Sequence, residues 1–328
     1  MTMMQINFLR EILPIILSFV LVVVILPALI PALRRLKFGQ TEREDGPQSH
    51  LNKTGTPTMG GLAILAAILV PSLFYLRSCP EIIPVLIMTI GFGVIGFIDD
   101  YIKVAKKQSD GLSVIQKLVF QFVLTGGYIF YFFFVEKKEA IIHIPFTTAS
   151  FTMPVWLYVI CVFIFVLGTV NGTNLTDGLD GLASSVTAVV AVFFILVTRT
   201  GAQGLEPING MVFGSLMGFL LFNSHPAKVF MGDTGSLAIG GWLSSLTLLL
   251  GDPIIVAIVG LIYFVEALSV MLQVGYFKLT HGKRIFKMAP IHHHFELSGF
   301  SETQVCFGFT IVTIICCLVG FMSHPMGL

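Results

Sequence analysis

Charged residues are scarce in this chain, and their scarcity excludes a soluble globular domain. Of the 328 residues, only 11% are charged while 55% are hydrophobic, and the mean hydropathy is +0.91. Soluble domains carry about 25% charged residues. A chain this apolar cannot bury its hydrophobic surface in one soluble core, which indicates an integral membrane protein. The net charge of +1 provides no basic surface for a nucleic-acid partner.

Paired cysteines and several familiar catalytic motifs are also missing. The five cysteines lie mostly inside apolar runs and show no paired spacing, so they are read as small hydrophobic residues rather than as disulfides or zinc ligands. No Walker A, G-x-S-x-G or H-E-x-x-H pattern occurs. These absences argue against a P-loop nucleotide site, a serine nucleophile elbow and a zinc protease.

Long apolar runs are abundant, and they predict an all-α polytopic membrane protein made of one integral membrane domain, residues 1–328. A spanning helix needs roughly 20 apolar residues, and the runs lack the period-two alternation of barrel strands. About ten spans are predicted, near residues 12–33, 59–76, 82–98, 114–134, 153–170, 179–198, 208–222, 235–250, 253–276 and 303–321. Residues 140–153 alternate like a small hairpin.

The distribution of lysine and arginine predicts the orientation. If the odd-numbered spans enter the cytoplasm, fourteen of the 19 basic residues lie in inner loops. The positive-inside rule then places both termini on the periplasmic or extracellular side. One outer loop, "VEKKEA", opposes this locally. The same inner loops hold nearly all the reactive side chains, so the active site is predicted on the cytoplasmic face.

Five inner segments carry these side chains. In "SHLNKTGTPTMGG" (49–61), Lys53 and the backbone N–H groups would suit a phosphate, although the residue types alone favour a capped helix entry. Asp99 and Asp100 end a span, where two buried carboxylates are costly unless they are paired or bound to a metal. Lys103 follows Asp99 by four residues, so an ordinary ion pair at a solvated helix end is the alternative.

The next two segments add more oxygen and amide groups. In "NGTNLTDGLDGLA" (171–183), polar residues recur every three positions among glycines, and a calcium loop is excluded because the late bidentate glutamate is missing. In "NSHPAKVFMGDTGSLAIGG" (223–241), Asp233 either caps a helix or holds a metal over a phosphate. Asn223 and Phe230 could bind the edge and face of a base. The recurring polar residues are Asn171, Asn174, Asp177 and Asp180.

Carboxylates, lysines and glycine-rich turns at one membrane face indicate phosphoryl transfer. Mg²⁺ prefers oxygen ligands and commonly bridges carboxylates and substrate phosphates. A reaction centre at the lipid surface indicates that one substrate is a lipid. The alternatives are a transporter, which should carry more polar residues deep in its spans than Glu266, and an intramembrane aspartyl protease, which needs two facing aspartates.

Over nearly its whole length the sequence resembles the bacterial phospho-N-acetylmuramoyl-pentapeptide transferases, within the superfamily of polyprenyl-phosphate N-acetylhexosamine-1-phosphate transferases. The motifs "GTPTMGG" and "HHHFE" favour this family over the relatives that use UDP-GlcNAc. The motifs that carry the resemblance are "SHLNKTGTPTMGG", "DDYIK", "NGTNLTDGLDGLA", "FMGDTGSL" and "APIHHHFE".

The resemblance implies a Mg²⁺-dependent enzyme of the bacterial plasma membrane. Its substrates would be UDP-N-acetylmuramoyl-pentapeptide and undecaprenyl phosphate, and its products lipid I and UMP, in the first membrane step of peptidoglycan synthesis. Family members are often homodimers. The implied metal ligand is Asp233. The implied catalytic residues are Asp99, Asp100, Asp233, His292, His293 and His294. The implied substrate-binding residues are Lys53, Lys103, Lys117, Asn171, Asn174, Asp177, Asp180, Asn223 and Phe230.

The three histidines do not form an obvious metal site. Imidazole is a poor ligand for a hard ion such as Mg²⁺, and the side chains of adjacent residues diverge too much for zinc. We expect a loop that donates hydrogen bonds to phosphate or sugar, with all three histidines retained as candidates. Two mechanisms stay open, namely direct attack by the lipid phosphate and a covalent aspartyl intermediate, and direct attack is favoured because a phosphate monoester is already anionic near neutral pH.

Overall fold

The computed structural model describes residues 8–36, 55–106, 110–147, 149–200 and 204–323, and most of these residues are helical. Short π-helical turns precede the first helix and extend the fourth. The α-helices are α1 (Leu13–Arg35), α2 (Gly61–Tyr75), α3 (Ile82–Lys106), α4 (Val114–Phe130), α5 (Val155–Thr176), α6 (Leu182–Thr200), α7 (Glu206–Asn223), α8 (Gly232–Leu250), α9 (Pro253–Val259), α10 (Leu261–Leu279), α11 (Ile291–Glu296) and α12 (Glu302–Ser323).

Within the described residues, seven helices are long and apolar enough to cross a membrane. The chain is therefore a multi-pass membrane protein. Helix α2 has 15 residues, which at about 1.5 Å per residue is shorter than the roughly 30 Å hydrocarbon layer. The finer expectation of about ten spans, with both termini outside, stays a prediction.

Helix α8 lies at the centre of the bundle, where nearly all of its side chains are buried. It packs against α2, α3 and α5 through positions that have no room for a side chain. A Cβ atom on Gly96 of α3 would lie 2.0 Å from the carbonyl oxygen of Asp233, and one on Gly61 of α2 would lie 2.2 Å from the Gly235 nitrogen. Small residues let membrane helices approach closely, so these glycines fix the first turn of α8 against its neighbours.

The predicted span 253–276 is interrupted in the structure. Helix α9 ends before Gly260, whose backbone angles (φ −93°, ψ 18°) are not helical, and α10 begins at the next residue. A Cβ atom on Gly260 would lie 2.9 Å from the Val256 carbonyl oxygen. The continuous apolar run concealed this break because hydropathy does not report backbone geometry.

The predicted hairpin is confirmed as a two-stranded antiparallel sheet, β1 (Ile141–His143) and β2 (Ser150–Thr152). The backbone N–H of His143 donates to the carbonyl of Gly251, which follows the last residue of α8. Asp233 lies at the first turn of α8, so the hairpin and the carboxylates occupy opposite ends of the bundle.

Candidate active site

Asp233 is the centre of a network of charged and polar groups at the start of α8. Its Oδ2 lies 2.6 Å from Lys117 Nζ and 3.3 Å from Lys103 Nζ. Asn174 Nδ2 donates to its Oδ1 at 2.9 Å and also to Ser236 Oγ at 2.8 Å. Residues from α3, α4, α5 and α8 therefore converge on one carboxylate.

Asp99 and Asp100 are both buried, but they have different partners. Asp99 Oδ2 pairs with Lys103 Nζ at 2.6 Å, and its Oδ1 accepts from the Leu112 backbone N–H at 2.9 Å. Asp100 instead accepts hydrogen bonds from the first turn of α8. The donors are the Asp233 N–H at 3.2 Å, the Thr234 N–H at 2.9 Å and the Thr234 hydroxyl at 2.7 Å. Asp100 thus caps the N-terminus of another helix.

The three carboxylates fit a hard divalent cation. Asp99, Asp100 and Asp233 each offer an oxygen, and these oxygens lie within 4.8 Å of one another. An all-oxygen donor set is the kind that Mg²⁺ prefers. Lys103 and Lys117 neutralise part of the negative charge and present ammonium groups beside it, an arrangement suited to a substrate phosphate.

The two asparagines of the third segment, Asn171 and Asn174, have different partners. Asn174 donates to Asp233, whereas Asn171 does not reach the carboxylates. Its Nδ2 donates to Gln121 Oε1 at 2.9 Å and to the Leu167 carbonyl at 2.8 Å, which joins α5 to α4. Burial, followed by the negative charges of Asp233 and Asp100, raises the pKa of Asp177 well above its usual range. Asp177 therefore belongs to the electrostatic field of the carboxylate cluster.

Asp180 lies in a second polar cluster beside the first. Its Oδ2 accepts from the Ala227 N–H at 2.9 Å and lies 3.1 Å from His225 Nδ1. Asn223 is buried, and both polar atoms of its side-chain amide are hydrogen-bonded. Its Oδ1 accepts from the Gly181 N–H and the Ser184 hydroxyl, and its Nδ2 donates to the Val229 carbonyl. Asn223 thus holds the start of α6 against the segment before α8.

The end of the first segment pairs with the segment that precedes α8. The Phe230 N–H donates to the Pro57 carbonyl at 2.8 Å, and the Gly60 N–H donates to the Phe230 carbonyl at 2.8 Å. The Phe230 ring is partly exposed beside this pairing. The predicted phosphate-binding Lys53 lies outside the described residues.

The three histidines of α11 have three different partners. His292 is fully buried, and its Nδ1 lies 3.0 Å from Glu266 Oε2. His293 Nδ1 lies 2.7 Å from Glu296 Oε2. His294 Nδ1 accepts from the Lys287 N–H at 3.1 Å. The structure thus separates three neighbours that the sequence treats as one group.

Several residues of the site were not identified from the sequence. The Thr234 hydroxyl donates to Asp100, and the Ser236 hydroxyl accepts from the Asn174 amide. The Leu112 backbone N–H donates to Asp99. Thr234 and Ser236 lie within three residues of Asp233, so their hydroxyl groups could have been predicted from the sequence as members of the site. The Leu112 contact had no signal, because a backbone N–H has no sequence signature.

Comparison with known proteins agrees with these features. Residues 82–251 match the family model described as glycosyl transferase family 4, and residues 53–65 match signature 1 of phospho-N-acetylmuramoyl-pentapeptide-transferase. The relative of that name from Acetivibrio thermocellus is 49% identical, over 94% of this chain and 93% of its own length. Those from Caldicellulosiruptor bescii and Clostridioides difficile are 47% and 46% identical, over 94% and 93% of this chain and 96% and 95% of their own lengths.

Proposed function

Because the chain belongs to the phospho-N-acetylmuramoyl-pentapeptide-transferase family, we propose that it transfers phospho-N-acetylmuramoyl-pentapeptide from its UDP derivative to undecaprenyl phosphate. The products are lipid I and UMP, in the first membrane step of peptidoglycan synthesis. The observation that carries this proposal is the identity of nearly half the residues over almost the full length of relatives with that name. The seven apolar helices among the described residues support a lipid acceptor.

The carboxylate cluster supports a Mg²⁺ ion held by Asp233, with Asp99 and Asp100 as its neighbours. When bound, Mg²⁺ would neutralise charge on the diphosphate and orient it. Lys103 and Lys117 bind the phosphate oxygens and stabilise the charge that develops during transfer. These lysines already meet at Asp233 Oδ2, so they need only small displacements to reach a phosphate beside it.

Direct attack by the lipid phosphate remains the favoured mechanism. Asp99 is the better candidate for taking a proton from the acceptor, because its Oδ2 is paired with the Lys103 side chain, whereas both oxygens of Asp100 accept hydrogen bonds from the first turn of α8. We assign the uridine to Asp180, Asn223 and Phe230, whose positions resemble those of the uridine-binding residues of the family. A labelled phospho-sugar trapped on the protein without lipid acceptor would overturn direct attack in favour of a covalent intermediate.

The proposal includes a location. The protein lies in the bacterial plasma membrane with the site facing the cytoplasm and both termini outside, and it acts as a homodimer. The excess of lysine and arginine in the inner loops supports the orientation, and the resemblance supports the homodimer.

The test is UMP release by the detergent-solubilised protein, with Mg²⁺ and both substrates present. We expect release to require Mg²⁺ and the lipid acceptor, whereas neither a transporter nor an aspartyl protease releases UMP. Asp233→Asn should lower the rate by about 10²-fold or more, since it removes the negatively charged oxygen ligand that would hold Mg²⁺ at the reacting phosphates. Asp252→Asn, at the opposite end of α8, is the matched control and should keep the rate. Full activity of Asp233→Asn would refute the metal assignment.

A further inference from the structure

Glu266 is a buried acid in the membrane helix α10 that the proposed reaction does not use. Its side chain is fully buried, and its Oε2 lies 3.0 Å from Nδ1 of His292, which is equally buried. An ionisable residue inside a membrane helix is costly unless it has a partner, and such residues usually have a functional role. The pair joins α10 to the short helix α11.

The other nitrogen of His292 faces the turn that carries Asp177. His292 Nε2 is buried and has no hydrogen-bond partner among the described residues. A Cβ atom on Gly178 would lie 2.3 Å from this nitrogen, so the imidazole edge lies directly against the Gly178 backbone. Glycine is the residue that leaves room for the ring at this position.

The two contacts together fix the tautomer and the orientation of the His292 imidazole. A carboxylate at Nδ1 holds a proton on that nitrogen and fixes the ring orientation, as carboxylate partners of functional histidines commonly do. Nε2 is thereby directed at the Asp177–Gly178 turn. The neighbouring histidines are held differently. The carboxylate at Nδ1 of His293 comes from Glu296 of the same short helix, and His294 Nδ1 accepts from a backbone N–H, whereas Glu266 ties His292 to α10.

We propose that Glu266 is a positioning residue, which fixes His292 with its Nδ1 proton toward α10 and its Nε2 against the Asp177–Gly178 turn of the active site. The inference rests on the proposed function, because it assigns Glu266 a role in that same reaction. Glu266 acts only through His292 and does not touch substrate. Its contribution is to hold in place the turn that brings Asp177 toward the carboxylate cluster.

The first experiment compares Glu266→Leu with Glu266→Gln. Leucine removes the acceptor, so we expect kcat to fall about 10- to 100-fold, with a smaller effect on KM for the UDP substrate. Glutamine keeps an oxygen that accepts from Nδ1–H, so it should retain most of the activity. Glu206→Leu is the matched control, because Glu206 is also a buried acid but lies at the far end of α7 from the site. It should keep the wild-type kcat.

A double variant separates positioning from packing. Glu266→Leu with His292→Leu removes both polar partners, and an apolar pair of this kind is often as stable as the polar one. We expect the double variant to regain the thermal stability of the wild type but to stay inactive. Recovery of activity in the folded double variant would show that the pair has only a packing role, and wild-type kcat in Glu266→Leu would overturn the proposal directly.

Nitrogen-15 NMR of histidine-labelled protein tests the imidazole itself. The His292 signal is identified by its loss in His292→Leu, and we expect it to report a single Nδ1-protonated ring that becomes a tautomer mixture in Glu266→Leu. An unchanged signal would overturn the proposal. This measurement needs no substrate, so it stands even if wild-type protein releases no UMP, a result that would refute the proposed function alone.

Discussion

Among single residues, the adjacent carboxylates Asp99 and Asp100 are predicted to respond differently to the same change. In Asp100→Asn, an amide NH₂ group would face N–H donors of α8, so we expect the free energy of unfolding to fall by about 1–3 kcal/mol. Asp99→Asn keeps an acceptor for Leu112, so it should reduce UMP release more than stability. Thermal unfolding and UMP release of both variants check this, and equal losses of stability would contradict it.

Gly178 provides a second residue-level prediction. In Gly178→Ala, the new methyl group would lie 2.3 Å from Nε2 of the fully buried His292 ring, so one of the two must shift. We expect at least a tenfold loss of kcat, on the order of the cost of disturbing a supporting contact. Gly275→Ala in α10 is the control, since nothing lies within 4 Å of its Cβ position. Equal activity of the two variants would contradict the contact.

Between elements, the loop that joins α10 to α11 depends on one side chain. Gln273 Oε1 accepts from the Ile285 and Phe286 N–H groups, and its Nε2 donates to the Phe286 carbonyl. Gln273→Leu removes all three bonds, so we expect faster trypsin cleavage after Lys283 and Arg284. Cleavage after Lys137 and Lys138, near the hairpin, is the internal control. Unchanged cleavage of the loop would show that Gln273 does not anchor it.

Element positions could be predicted from sequence more readily than element contacts. Apolar runs gave the helices, because burial in lipid requires a continuous apolar stretch. The capping role of Asp100 could not be predicted, because it depends on how α3 crosses α8. The break at Gly260 was missed for a similar reason, since glycine is also common inside membrane helices and only the packing around it decides whether the helix continues.

For the molecule as a whole, the orientation is a prediction that two exposed lysines can test. Lys138 lies beside the hairpin and Lys228 beside the candidate site, so they are at opposite ends of the bundle. In a cysteine-free background, we expect Lys138→Cys to react with a membrane-impermeant thiol reagent on intact cells. Lys228→Cys should react only after the membrane is permeabilised. The reverse pattern would contradict a cytoplasmic site.

The composition of the site was largely predictable for the whole molecule, whereas its internal arrangement was not. Aspartates and lysines at one membrane face predicted a common location, and the structure brings Asp99, Asp100, Asp233, Lys103 and Lys117 together. The sequence could not distinguish His292 from its neighbours. Their separate partners lie on α10, on α11 and in a loop, and only the folded chain determines those distances.

The dispersal of the site along the chain has a consequence for its biosynthesis. Ribosomes make the chain from its N-terminus, so Asp99 enters the membrane long before Asp233 is synthesised, and His292 follows Glu266 by 26 residues. A nascent chain that ends before α11 therefore carries the carboxylate of Glu266 without its imidazole partner. If His292 and Glu266 have the proposed roles, the site is complete only after the last helices have been inserted.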